Sequence, residues 1–350
     1  PRRCAPPPPR GQGQRAGASR RGVPRLAPLR TVRLIARRLA AAVPTVLLVV
    51  LGTWILLEAA PGDAADAYLA QAGGGDAAFV ADLRARFGLD LSGPDRFAIF
   101  ALRLAAGDLG TSVVFSRPVA AVIAERIPIT LALMVAAVTF AAVLGTLGGL
   151  LAGARPGSLG DRLLSTAALA LLAIPSFWLG LLLIRWFAVQ LGWLPVGSIR
   201  TIGGAGGVLD TARHLILPTL ALGTGYVALY LRTLRAGMVD AWRADHVRAA
   251  RARGLSERAV VWGAVARPAF LPVVVLLGQQ AGTLFGGSVV VETVFAVPGM
   301  GRLAYEAVAG RDLALLIGVV LAGTVVVIAA NLLVDLVMVR LDPRIGAGDA

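Results

Sequence analysis

Six stretches of this chain are long and apolar enough to cross a bilayer. A spanning helix needs about 20 mostly apolar residues to cover about 30 Å of hydrocarbon. The runs extend from Leu39 to Ala60, Pro128 to Ala152, Leu164 to Val189, Leu215 to Leu231, Phe270 to Val291 and Leu313 to Val339. The predicted fold class is all-α, a polytopic membrane protein with six transmembrane helices.

What lies between the runs orients them. With the N-terminus placed inside, the inner segments carry 23 Arg and the outer ones 10, a split that favours both termini in the cytoplasm. One external loop, 61–126, is long, mixes charges with Gly and short apolar runs, and reads as a small, partly helical cap. Residues 1–30 are rich in Pro, Gly and Arg without apolar periodicity, and read as a disordered leader.

Composition narrows the class. The chain is 57% hydrophobic and 15% charged with a mean hydropathy of +0.76, too apolar for a soluble fold to bury. Its net charge of +14 comes entirely from Arg, since no Lys is present. Basic loops around apolar spans account for this charge through topology, so no nucleic-acid partner is implied. A phosphate loop of the G-x-x-x-x-G-K-[ST] type requires Lys, so the glycines at 203–207 cannot form one. Cys4 is the single cysteine, and His214 and His246 lack the clustered partners that a metal site needs.

The basic segment 235–268 is the most informative. Val247 to Arg253 suits a short helix, with Asp245 near its positive end and Arg251 and Arg253 near its negative end. Gly254 suits a left-handed C-cap, and Ser256 suits the N-cap of a second helix running toward Arg267. Pro268 and Pro272 mark the start of the fifth span. Helix, Gly turn and helix against the inner face make a stiff handle, or else an ordinary basic loop.

The stretch DHVRAARARGLSERAV resembles the cytoplasmic coupling loop of ABC-importer permeases, in the dipeptide, oligopeptide and nickel branch. Asp245, Arg248, Ala250, Arg251, Ala252, Gly254 and Leu255 match that branch's D-Y-I-R-T-A-R-A-K-G-L pattern. His246, Val247, Ala249 and Arg253 depart from it mildly, and Arg248 stands where the broader E-A-A pattern has Glu. Further pieces follow in the family's order: GDLGTS at 107–112, IPSFWLGLLL at 174–183, HLILPTLALG at 214–223, PGMGRL at 298–303 and the NLLVD and DPRI of the C-terminal end. The resemblance covers residues 31–346 and implies a single transmembrane domain with its coupling loop at 235–268. It also implies a non-catalytic, cofactor-free subunit of the cell membrane, in contact with lipid. Such a subunit pairs with a sister permease, two cytoplasmic ATP-binding subunits and an extracytoplasmic solute-binding protein. Asp245, Arg248, Ala249, Ala250, Arg251, Arg253, Gly254 and Leu255 are then the ATPase-coupling residues. The cargo it implies is a di- or oligopeptide or a related small solute.

Polar groups inside the spans are few. Gln279 and Gln280 sit mid-span and either line the pore or bond another helix. Glu292, at the outer end of the fifth span, is placed toward the mouth or the external protein. Asn331 and Asp335 share one face of the sixth, and Arg185 snorkels outward from the third. Gly145, Gly148, Gly149 and Gly153 make a small-residue face for a subunit interface or for packing within the bundle. An ion-coupled secondary transporter is the competing class. It expects ionisable or broken-helix sites at mid-membrane, in inverted repeats that this sequence does not display.

Overall fold

The computed structural model describes residues 27–59, 65, 77–86, 90–201, 203–204 and 206–341. Most of the expected leader, parts of the expected external loop and the DPRI motif lie outside these residues. Among the described residues the regular structure is helical, apart from one isolated bridge between Thr111 and Pro118. The helices are α1 (Ala27–Glu58), α2 (Ala77–Arg86), α3 (Gly93–Ala105), α4 (Val119–Ala154), α5 (Leu159–Ala173), α6 (Ser176–Gln190), α7 (Val208–Trp242), α8 (Asp245–Ala252), α9 (Glu257–Gln279), α10 (Ala281–Val294), α11 (Met300–Ala309) and α12 (Leu313–Leu341).

Among the described residues α4, α7, α9 and α12 are each long and apolar enough to cross a membrane. The expected third span, Leu164–Val189, is not one straight helix. It is the pair α5 and α6, bent by 97°. Pro175 causes the bend, because its ring disfavours helical backbone at the residue before it, and Ile174 is extended at φ −83°, ψ 120°. The expected fifth span is also recast. A helix runs without a stop from Glu257 through Pro268 and Pro272 to Gln279, pauses at Gln280, and resumes as α10.

The glycines of α4 let α7 approach closely. A Cβ added at Gly145 would lie 2.7 Å from the Tyr230 Cβ, and one at Gly149 would lie 2.8 Å from the Leu234 Cβ. At Gly153 it would lie 2.7 Å from the Met238 sulfur. The small-residue face therefore packs inside the bundle. These contacts also fix direction, since Gly223 meets Phe140 and Ala137 while Gly153 meets Met238, so α4 and α7 run parallel. Gly237 meets Ala269 and Gly287 meets Leu222, so α9 and α10 together run back along α7. Gly278 meets Val334 and Gly323 meets Phe285, so α12 returns antiparallel to them. Trp54 and Val50 of α1 pack on Ile317 of α12.

Buried polar groups pin the turns. Asp161 is 1% exposed and receives Arg235 of α7 through two side-chain bonds, together with the Gly157 N–H at 2.8 Å. Asp312 accepts the Ser112 hydroxyl at 2.6 Å and the Val114 N–H at 3.1 Å, and caps α12 through the Leu315 N–H. Glu292 does not face a mouth. It is fully buried, accepts Thr130 Oγ1 at 2.7 Å and the Arg302 N–H at 3.0 Å, and so caps α11.

Candidate functional site

The segment between α7 and α9 folds as its sequence foretells. Gly254 has φ +77°, its N–H bonds the Arg251 carbonyl at 2.9 Å, and the Leu255 N–H bonds the Ala250 carbonyl at 3.4 Å. These two bonds form a Schellman cap, which needs a left-handed residue at the position of Gly254. Ser256 then starts α9, its hydroxyl accepting the Ala259 N–H at 3.4 Å.

One side of α8 is fixed to the bundle. Val247 and Ala250 are buried against Val260, Val265 and Ala266 of α9 and against Met238 and Ala241 of α7. Pro268 has no N–H to offer the Ala264 carbonyl four residues before it. His246 supplies that bond instead, its Nε2–H donating to the Ala264 oxygen at 2.9 Å. The same stretch of α9, Val260–Ala266, has π-helical geometry.

The other side is open. Asp245, Arg248, Ala249, Arg253 and Gly254 are exposed, and so is Leu255 at 46%. Asp245 and Arg248 pair with each other on this surface. Of the expected coupling residues, Ala250 belongs to the buried side. Arg251 is exposed as well, its side chain 49% accessible, and its guanidinium lies 4.8 Å from the centre of the Trp242 ring and 3.2 Å from Glu257 Oε1. His246 and Trp242 carry bonds that the sequence alone does not announce, because their partners lie 18 and 89 residues away.

Gln279 and Gln280 lie where α9 gives way to α10. Gln279 is exposed and Gln280 half-buried. Thr283 donates to the Gln280 side-chain oxygen at 2.7 Å, and Tyr226 approaches Thr283 from α7. Continuing along α10, the exposed positions are Gly282, Thr283, Gly286, Val290 and Thr293. The second half of α4 exposes large aliphatic side chains instead, at Val143, Leu144, Leu147 and Leu151.

Residues 145–347 match the family described as binding-protein-dependent transport system inner membrane component, a range that holds both α8 and the Gln279–Thr283 strip. The chain belongs to this family. This permease is 39% identical over 309 residues to the glutathione transport system permease protein GsiC of Pectobacterium atrosepticum, covering 88% of this chain and 97% of that protein. It is 36% identical over 329 residues to the di/tripeptide transport system permease protein DppB of Pseudomonas aeruginosa, covering 89% and 98%. Among solved structures, the inward-facing MetNI methionine ABC transporter shares the fold with a TM-score of 0.52. At 19% identity, that match covers 63% of this permease and 96% of the other chain. The permease is thus a non-catalytic, multi-pass inner-membrane subunit of an ATP-binding-cassette importer, which works with an ATPase and a solute-binding protein.

Proposed function

We propose that this permease forms half of a translocation pore for di- or oligopeptides or a close relative such as glutathione, pairs with a sister permease, and is driven through α8 by two cytoplasmic ATPase subunits. The observation that carries the reading is the division of α8. Its inner side is locked to α7 and α9, while Arg248, Ala249, Arg253, Gly254 and Leu255 present an open surface for a partner to grip. ATP binding shifts the pore between states only if the ATPases hold α8 differently in each.

The helix directions support six crossings. α4 and α7 run parallel, α9 with α10 runs back along α7 and α12 returns, and the Arg-rich side that holds α8 is then the cytoplasmic one. The names of the relatives support a peptide cargo. Gln279, Gln280 and Thr283 fit it chemically, because uncharged amides and hydroxyls match peptide N–H and C=O groups. This strip lines the pore.

Gly254→Trp tests the coupling surface. No atom lies within 4 Å of a Cβ at Gly254, so the indole projects into open space, at the cost of a backbone strain at φ +77° that Gly254→Ala carries without the bulk. Gly254→Asn tolerates the left-handed backbone and serves as the control. The tryptophan variant is expected to insert normally and lose its co-purifying ATPase, while the asparagine variant and the equally strained alanine variant keep it. Assembly and transport by Gly254→Trp at the wild-type level would defeat the proposal.

A further inference from the structure

α4 ends beside the coupling segment without being part of it. Its last carbonyls have no helical N–H to accept, as at any helix end. Trp242, the last residue of α7, donates its indole N–H to one of them, the Gly153 oxygen, at 2.9 Å. The face of the same indole carries Arg251 at 4.8 Å. Arg251 is held in turn by Glu257 at 3.2 Å, in the first turn of α9. One tryptophan and one arginine thus join the ends of four helices: α4, α7, α8 and α9.

Among the other links between these elements, His246 donates to the Ala264 carbonyl at 2.9 Å and ties α8 to α9 alone, without reaching α4. α8 meets α7 and α9 through apolar side chains such as Val247 and Ala250. Such packing resists compression but permits sliding, whereas a hydrogen bond and a cation over a ring face are directional. Further along, α4 meets α7 by close backbone approach at Gly149 and Gly153.

We propose that Trp242 and Arg251 form the transmission joint that carries movement of α8 to the end of α4, so that α4 and α7 shift together. Arg251 in this role serves the permease's own mechanics, on a side chain that is still 49% exposed. The inference rests on α8 being the surface that the ATPases grip. Trp242 and Arg251 are positioning residues: they touch neither cargo nor nucleotide.

The test uses the complete transporter, permeases, ATPases and binding protein, reconstituted in liposomes with a di- or tripeptide as the probe. Trp242→Phe keeps a ring beneath Arg251 and removes the N–H to Gly153. It is expected to leave ATPase co-purification and thermal stability near wild type and to lower peptide transported per ATP hydrolysed by roughly fivefold, the low end of typical coupling between sites. Arg251→Gln, which removes the cation and keeps an amide near Glu257, is expected to lower the same ratio. Combining it with Trp242→Phe is expected to add little, because both act through one joint.

An unchanged peptide-to-ATP ratio in both single variants, with the complex intact, overturns the joint. A purely structural role would lower yield and melting temperature while leaving the ratio unchanged in the surviving complex, and this also counts against it. Failure of the underlying reading looks different: Gly254→Trp would then assemble and transport normally as well. If Gly254→Trp disrupts assembly while Trp242→Phe and Arg251→Gln keep the wild-type ratio, the joint alone is wrong.

Discussion

Glycines in this permease carry two different jobs, and only the structure separates them. Gly149 sits in a contact that leaves no room, with the Leu234 Cβ at 2.8 Å and the Leu231 carbonyl at 3.0 Å from an added Cβ. Neither neighbour is a flexible tip, so Gly149→Ala must push α4 and α7 apart at a cost of about 1–3 kcal/mol. Gly286 has nothing within 4 Å of an added Cβ, and Gly286→Ala in a helix interior is neutral or stabilising by up to about 1 kcal/mol. Melting of the two purified variants in detergent checks this: a marked drop is expected for Gly149→Ala and none for Gly286→Ala. Equal drops would mean that helix propensity, not contact, governs both sites. The G-x-x-x-G spacing was legible in the sequence, but which helix it faces was not, because spacing specifies a face and not a partner. Gly254 was fully legible, since its cap is built from residues within five positions of it. Glu292 was not legible, since the Thr130 hydroxyl that holds it arrives from 162 residues away.

At the scale of elements, prolines and one buried carboxylate set the geometry. Pro175 stands in plain view in the sequence, yet the apolar run around it continues on both sides and hides the 97° bend. Pro268 misleads in the opposite sense. It reads as a boundary, but the helix passes through it because its missing hydrogen bond is made good by His246. The turn between α4 and α5 depends on Asp161. That carboxylate is buried and gathers Arg235, the Gly157 N–H and the Ser165 hydroxyl, so it ties the turn to α7. Removing one member of a buried ion pair costs about 3–5 kcal/mol, and the Arg235 side chain is 34% exposed, which brings the expected loss for Asp161→Ala down to about 1–3 kcal/mol. Exchanging the charges, Asp161→Arg with Arg235→Asp, should not restore stability, because an arginine cannot accept the Gly157 N–H. Thermal unfolding of the single and exchanged variants gives the answer. Full rescue by the exchange would show that charge pairing alone matters.

At the scale of the whole molecule, the bundle makes a claim about sidedness that neither hydropathy nor helix length supplies alone. Hydropathy marks six runs, yet α1 and α10 have only short apolar stretches and α5 and α6 are sharply bent, so length by itself supports fewer crossings. Direction adds to the count. α4 and α7 run parallel, so residues 155–207 must carry the chain back across the bundle whatever the bend between α5 and α6. The turn after α4 then lies on the side of α8, and the loop before α7 lies on the other. Arg155 and Arg200 are exposed on these two sides, which makes them suitable reporters. The single cysteine, Cys4, is first replaced by Ser so that one introduced thiol is read at a time. In intact spheroplasts a membrane-impermeant maleimide is expected to label Arg200→Cys and to spare Arg155→Cys until the membrane is opened. The excess of Arg on the α8 side predicts the same orientation by an independent route, since positive charge is retained in the cytoplasm. The reverse labelling pattern would place α8 outside the cell, beyond the reach of any cytoplasmic ATPase. Labelling of both sites in intact spheroplasts would mean that α5 and α6 fail to cross, and the parallel packing of α4 and α7 would then have no topological explanation.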